Sequence, residues 1–153
     1  MRLVNLASSD SAWRGYEYYK NGKVLSYELV EEGIYTGKVK GSDNAIYNVT
    51  LNLNKVRNTA CDCPFANGRR VVCKHAVALY FAIFPDDAKT YKTQIDKEQA
   101  EYEAWEEGLP DRVEAYVRKL SKKELQDQLL DVLFTAEDWV LDRYIRHHDI
   151  DDE

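Results

Sequence analysis

Residues 61–75, CDCPFANGRRVVCKH, hold all three cysteines of the chain and one of its three histidines. Thiolates and imidazoles are the donors that zinc prefers. Cys61 and Cys63 are separated by one residue, Cys73 and His75 likewise, and nine residues lie between the pairs. In extended backbone, positions i and i+2 point to the same side. NTACDC can continue from a strand in that form, so both thiols converge on one point. Zinc requires them about 3.7 Å apart, given Zn–S bonds of about 2.3 Å in a tetrahedron. Pro64 then prevents the strand from continuing, and FANG supplies a turn that brings the chain back.

The second pair needs another geometry. Two residues at i and i+2 in mid-helix diverge, but they meet at a helix start, with Cys73 just before the first turn and His75 within it. A helix start also places a thiolate at the positive end of the dipole, which favours the ionised, metal-binding form. The expectation is a Cys₃His site built from Cys61, Cys63, Cys73 and His75, joining the end of a sheet to the start of a helix. Four protein ligands close the coordination sphere, whereas a catalytic zinc keeps a position open for water, so one structural ion is expected. The alternative is that the cysteines are small buried hydrophobes and His75 a satisfied core histidine. His147 and His148 are expected on the last turn of the final helix, where imidazoles suit the negative dipole end.

Cations surround the cluster: Arg57, Arg69, Arg70 and Lys74, with Lys55 nearby. They could offset the charge of the thiolates, form a phosphate-binding patch with Lys74 at a helix start, or be solvated loop residues. No base-reading helix and no stacking platform accompanies them, so any nucleic-acid contact would be weak, salt-dependent and indifferent to sequence.

Elements on either side must position this cluster. SSDSAWRGYEYYKNGKV offers Ser/Asp caps, an aromatic face of Trp13, Tyr16 and Tyr19, and Gly22 as a stop, which predicts a short amphipathic helix packed on the core. Three strands follow. Leu25, Tyr27 and Leu29 share one face of the first, Tyr35 and Val39 of the second, and Ala45, Tyr47, Val49, Leu51 and Leu53 of the third. EEG and GSDN supply the turns, and the period of two predicts an antiparallel meander with one wet face. AVALYFAIFP is apolar on all sides and predicts a buried helix of about three turns ending at Pro85.

Behind Pro85 the chain reads as short amphipathic helices. Ala88, Tyr91, Ile95, Tyr102 and Trp105 form a seam closing at Gly108, and Val113, Tyr116, Val117 and Leu120 form another. Ser121 and Glu124 make a capping-box pattern ahead of Leu125, Leu129 and Leu133. Thr135 and Asp138 suggest a second box ahead of Trp139, Leu141, Tyr144 and Ile145. The expected fold class is α+β: a short N-terminal helix, a three- to four-stranded antiparallel meander, a zinc-stitched strand-to-helix junction and a helical C-terminal extension. The expected domains are 1–85 and 86–153.

Composition bounds the function. At 153 residues, 44% hydrophobic and 31% charged, the chain is globular in character. It has no apolar run for a membrane span and no secretory leader pattern. An odd cysteine count argues against a disulfide framework and for a reducing, cytoplasmic setting, where the sequon at Asn48 is a chance match. The net charge of −6 hides an asymmetry: residues 1–84 carry 11 Lys+Arg against 7 Asp+Glu, and residues 85–153 carry 10 against 20. No Ser-His-Asp set, glycine-rich phosphate loop or open metal site is visible. The paired carboxylates Asp86/Asp87 and Glu106/Glu107 sit where helix caps and wet faces carry acid. A binding role is expected rather than an enzymatic one, with no small-molecule substrate.

CDCPFANGRRVVCKHAVALYFA resembles the SWIM-type zinc finger, Cys-x-Cys, a spacer, then Cys-x-His. RGYEYYKNGKV and VEAYVRKLSKKELQDQLLDVL are similar to the flanks of its stand-alone prokaryotic members. The resemblance implies Cys61, Cys63, Cys73 and His75 as ligands of Zn²⁺. It also implies a role in DNA binding or protein–protein contact, with a Snf2-type ATPase on a separate chain as one such partner.

Overall fold

The computed structural model describes residues 2–42, 44–148 and 150. Asp43, part of the expected GSDN turn, lies outside them. The fold is α+β, and the chain divides into two compact units, Met1–Lys97 and Glu98–Glu153.

In the first unit, a 3-10 turn at Val4–Leu6 leads into α1 (Ser9–Lys20), whose N-terminus is capped by Ser8 Oγ accepting from the Ser11 N–H at 3.2 Å. The helix stops before Gly22, which takes φ +63°, a conformation open to glycine. β1 (Val24–Glu31), β2 (Ile34–Lys40) and β3 (Ile46–Asn52) form the predicted antiparallel meander. A fourth strand, β4 (Ala60–Cys61), completes the order β1-β2-β3-β4. The cysteine segment does not simply continue the last long strand. After β3 a 3-10 turn at Val56–Asn58 reverses the chain, and β4 pairs antiparallel back onto β3, with Val49 opposite Cys61.

α2 (Lys74–Ile83) is buried on every side from His75 to Phe81, as its all-round apolar sequence requires. Val77 and Leu79, two positions apart, point to opposite sides of the helix. Val77 lies against Gly15 of α1, and Leu79 lies against Gly37 of β2. The helix is therefore the middle layer between α1 and the sheet. Tyr16 and Tyr19 of the aromatic face pack around Phe81, with ring centroids 6.0 and 6.2 Å from it, while Trp13 stacks on Tyr16 and stays partly exposed. α3 (Pro85–Glu107) begins at a sharp corner, where the Tyr80 hydroxyl donates to Asp87 and holds that carboxyl below its usual range. Tyr91 of α3 then reaches Phe81, 5.4 Å between centroids.

The meander departs from expectation at its first strand. Val39, Val49 and Leu51 are buried as predicted, but Leu25, Tyr27 and Leu29 remain half exposed. The helix packs most closely over β3 and meets β2 where Leu79 faces the side-chain-free Gly37, and its contacts with β1 leave Leu25, Tyr27 and Leu29 uncovered.

The second unit contains the end of α3, α4 (Leu109–Val117), α5 (Lys122–Thr135) and α6 (Asp138–His147). The capping box at Ser121 and Glu124 is present in both directions. The second expected box is not: Thr135 closes α5 and donates to the Asp131 carbonyl, and α6 starts after Glu137 with no side-chain cap. A threonine inside the last helical turn satisfies its own hydroxyl i→i−4, which removes it as a cap. Among the described residues of this unit, Leu133 is the one buried hydrophobic side chain.

Gly15→Ala tests the layer arrangement. A Cβ there would fall 2.4 Å from Val77 Cβ and 2.9 Å from the Lys74 carbonyl oxygen, so α1 must be pushed off α2. The variant should lose about 1–3 kcal/mol of stability, read as a lowered urea midpoint. An unchanged midpoint would contradict the packing.

Candidate metal centre

Each ligand candidate is delivered by a different local device. Cys61 ends β4, placed by its pairing with Val49. Asp62 points away from the sulfurs and clasps Asn48 of β3, accepting from its backbone N–H at 2.9 Å and from its Nδ2 at 2.7 Å. Cys63 opens a turn in which its carbonyl accepts from the N–H groups of Ala66 and Asn67, at 3.0 and 2.9 Å. Gly68 continues that turn at φ +71°. Cys73 is the residue before α2, with extended backbone at φ −90°, ψ 167°, and His75 lies in the first turn. The helix-start placement expected for the second pair is the one observed.

The four ligating atoms lie within 4.8 Å of one another, and all four residues are buried. His75 Nδ1 is 3.8 Å from Cys61 Sγ and 3.9 Å from Cys73 Sγ, close to the edge of about 3.7 Å that a zinc tetrahedron requires. The three cysteines form no disulfide. The imidazole is held by packing: Tyr47 lies 4.7 Å and Tyr18 5.5 Å from its ring centre. Its Nε2 is buried with no hydrogen-bond partner. Most ligating histidines are steered by an acceptor at the second nitrogen, so here the two tyrosines carry the orientation.

Electrostatics point the same way. The Cys61 thiol, donating to Cys73, brings Cys73 down to about 4 against the opposing effect of burial, with His75 and the Ala76 N–H adding to the effect. The resulting thiolate and burial push Cys61 up. Burial, then the Cys73 charge, pushes Cys63 up. Three thiols in this volume cannot all ionise beside one another; a divalent cation among them resolves the conflict. The donor set, burial and spacing fit one Zn²⁺ held by Cys61, Cys63, Cys73 and His75. With three thiolates and a neutral imidazole the centre carries about −1.

Among the described residues this is the one His/Cys/Asp/Glu group close enough to hold a metal. His147 ends α6 and His148 follows it, both exposed. The cations are spread over three concavities, with Arg70 common to two of them. Arg57 and Arg70 line one cleft. Arg69 and Arg70 line a shallow groove with Asn48, Thr50 and Asp62. Lys74, the first residue of α2, lines a third concavity with Arg14 and has its Nζ 4.6 Å from the centre of the Tyr18 ring.

Sequence reasoning missed Asp62, Asn48, Tyr18 and Tyr47. One signal was present, since the middle residue of an extended Cys-x-Cys must face away from the metal and toward the neighbouring strand. The tyrosines gave none, because their contact with His75 is set by how α1 and β3 pack on α2.

A cluster of this kind, closing a strand-to-helix turn, defines a zinc finger. In comparison with protein families, residues 47–84, from β3 through the knuckle that carries the ligands to α2, match the SWIM zinc finger. No curated protein and no solved structure matches the chain.

Removing the metal should dismantle this junction. Binding free energy in small zinc modules is on the order of 10–16 kcal/mol, comparable with the stability of a whole domain. A strong chelator is therefore expected to release one zinc per chain, expose three titratable thiols and abolish cooperative unfolding of residues 1–97. Cys63→Ala should behave as the chelated protein does. Retention of the cooperative transition after complete chelation would show that the ion is not structural.

Proposed function

We propose that the protein is a non-catalytic interaction module, an accessory component of a nucleic-acid-associated complex in the cytoplasm. A closed ligand set supports binding over catalysis, because no coordination position is left for water. The observation that carries the nucleic-acid side is the exposed trio Arg57, Arg69 and Arg70 beside the knuckle. None of them forms an ion pair with a described residue. Free guanidinium groups on exposed turns suit phosphate contacts that position without reading sequence. Lys74 contributes less, its ammonium being engaged by Tyr18.

A second reading has its own support. Tyr102, Trp105, Tyr116, Leu130, Phe134 and Trp139 are all at least half exposed on acidic helices. Such faces suit docking to a protein partner, and an ATPase of the Snf2 type is the partner that the resemblance suggests. No described helix is long and apolar enough to cross a membrane, so these faces do not read as a span.

Retention on immobilised duplex DNA across a salt series separates the readings. The wild-type chain should be retained at low salt, and Arg69→Glu with Arg70→Glu should weaken retention and lower the salt slope by about 2. Retention unaffected by the double reversal, or absent at low salt, would leave the docking role alone. Loss of partner capture in a Trp105→Asp, Trp139→Asp chain would then establish that role.

A further inference from the structure

The cleft at Arg57 and Arg70 is a site of a different character from the open groove at Arg69. Three separate stretches of chain build it. Leu6 arrives from the N-terminal turn, held there by the parallel bridge between Ala7 and Val72. Val56, Arg57 and Thr59 come from the 3-10 turn after β3, and Arg70, Val71 and Val72 from the approach to α2. The space is about 300 Å³, at the lower end of the range for specific ligand pockets.

Its chemistry is split. Val56, Val72 and Thr59 are buried and form a floor, while Leu6 and Val71 stay 50% and 38% exposed and form apolar walls. Thr59 Oγ1 accepts from the Asn52 N–H, which leaves its own proton free to donate. The two arginines are exposed at the rim and form no described ion pair. An apolar floor under a doubly cationic rim calls for a ligand with an aliphatic anchor flanked by carboxylates. A nucleic-acid strand fits less well, because no aromatic ring lines the cleft for a base to stack on.

We propose that this cleft is a docking site for an acidic–aliphatic segment of a protein partner. One aliphatic side chain sits against Val56, Val71, Val72 and Leu6, and flanking Asp or Glu carboxylates pair with Arg57 and Arg70. The proposal rests on the reading of the protein as an interaction module and names the surface through which a partner would be held.

The test uses the zinc-loaded full chain. A dye-labelled peptide of alternating leucine and aspartate is titrated in, followed by polarisation and by amide shifts. A serine-for-leucine version and a short oligothymidylate serve as the comparison probes. The leucine–aspartate peptide should bind saturably and shift Leu6, Thr59, Val71 and Val72, and the serine version should not. Arg57→Glu, at a residue that lines the cleft and not the groove, should weaken the peptide about tenfold. Arg69→Glu, which alters the groove alone, should change it less than twofold. Equal losses from both substitutions would reduce the effect to unspecific charge attraction and overturn the proposal. So would shifts at the cleft from the oligothymidylate but not the peptide, or no shift there from any probe. No peptide binding, with DNA retention still lost in Arg69→Glu, would sink this inference and leave the functional reading standing; no DNA retention, with peptide binding that Arg57→Glu weakens, would do the reverse.

Discussion

Thiolates packed into one small buried volume repel one another, and burial penalises each charge further. Cys61, Cys63 and Cys73 are in that position, with a single imidazole nitrogen beside them. Without a cation, one thiolate at Cys73 keeps the Cys61 and Cys63 thiols protonated. A divalent ion turns mutual repulsion into shared attraction. The junction between the sheet and the central helix is therefore metal-dependent by construction.

The rest of the first unit is arranged around the helix that the ion anchors. α2 meets α1 through Gly15 and Val77 and the sheet through Gly37 and Leu79, so its position sets the spacing of all three layers. The cluster fixes the start of that helix and the end of β4 at once. Asp62 adds a second tie on the opposite face of the knuckle. Residues that hold the metal are thereby removed from the surface. The side chains that the knuckle leaves exposed are the arginines on its loop and Val71.

The ligands, the α+β class and the buried helix were legible because each has a local signature: paired donors at i and i+2, period-two alternation, an apolar run closed by Pro85. The Ser121–Glu124 box was legible for the same reason. What sequence could not give depended on neighbours. β1 carries a well-formed alternating face at Leu25, Tyr27 and Leu29, yet nothing packed on the sheet covers it and the face stays exposed. The return of β4 onto β3 was hidden because a 3-10 turn with no glycine or proline reversed the chain. Whether the cations form a patch was left open by the sequence, because their neighbours in space, three concavities with Arg70 shared by two, depend on how the turns fold. The helices after residue 97 show seams as regular as any in the first unit, and their exposure could be learned only from what fails to cover them.

X-ray absorption at the zinc edge, on protein purified without chelators and quantified by elemental analysis, tests the central claim most directly. One zinc per chain is expected, with three sulfurs at about 2.3 Å and one nitrogen at about 2.0 Å. Substoichiometric metal, or a shell containing water oxygen in place of one of these donors, would contradict a closed Cys₃His centre and with it the account of how the fold is held.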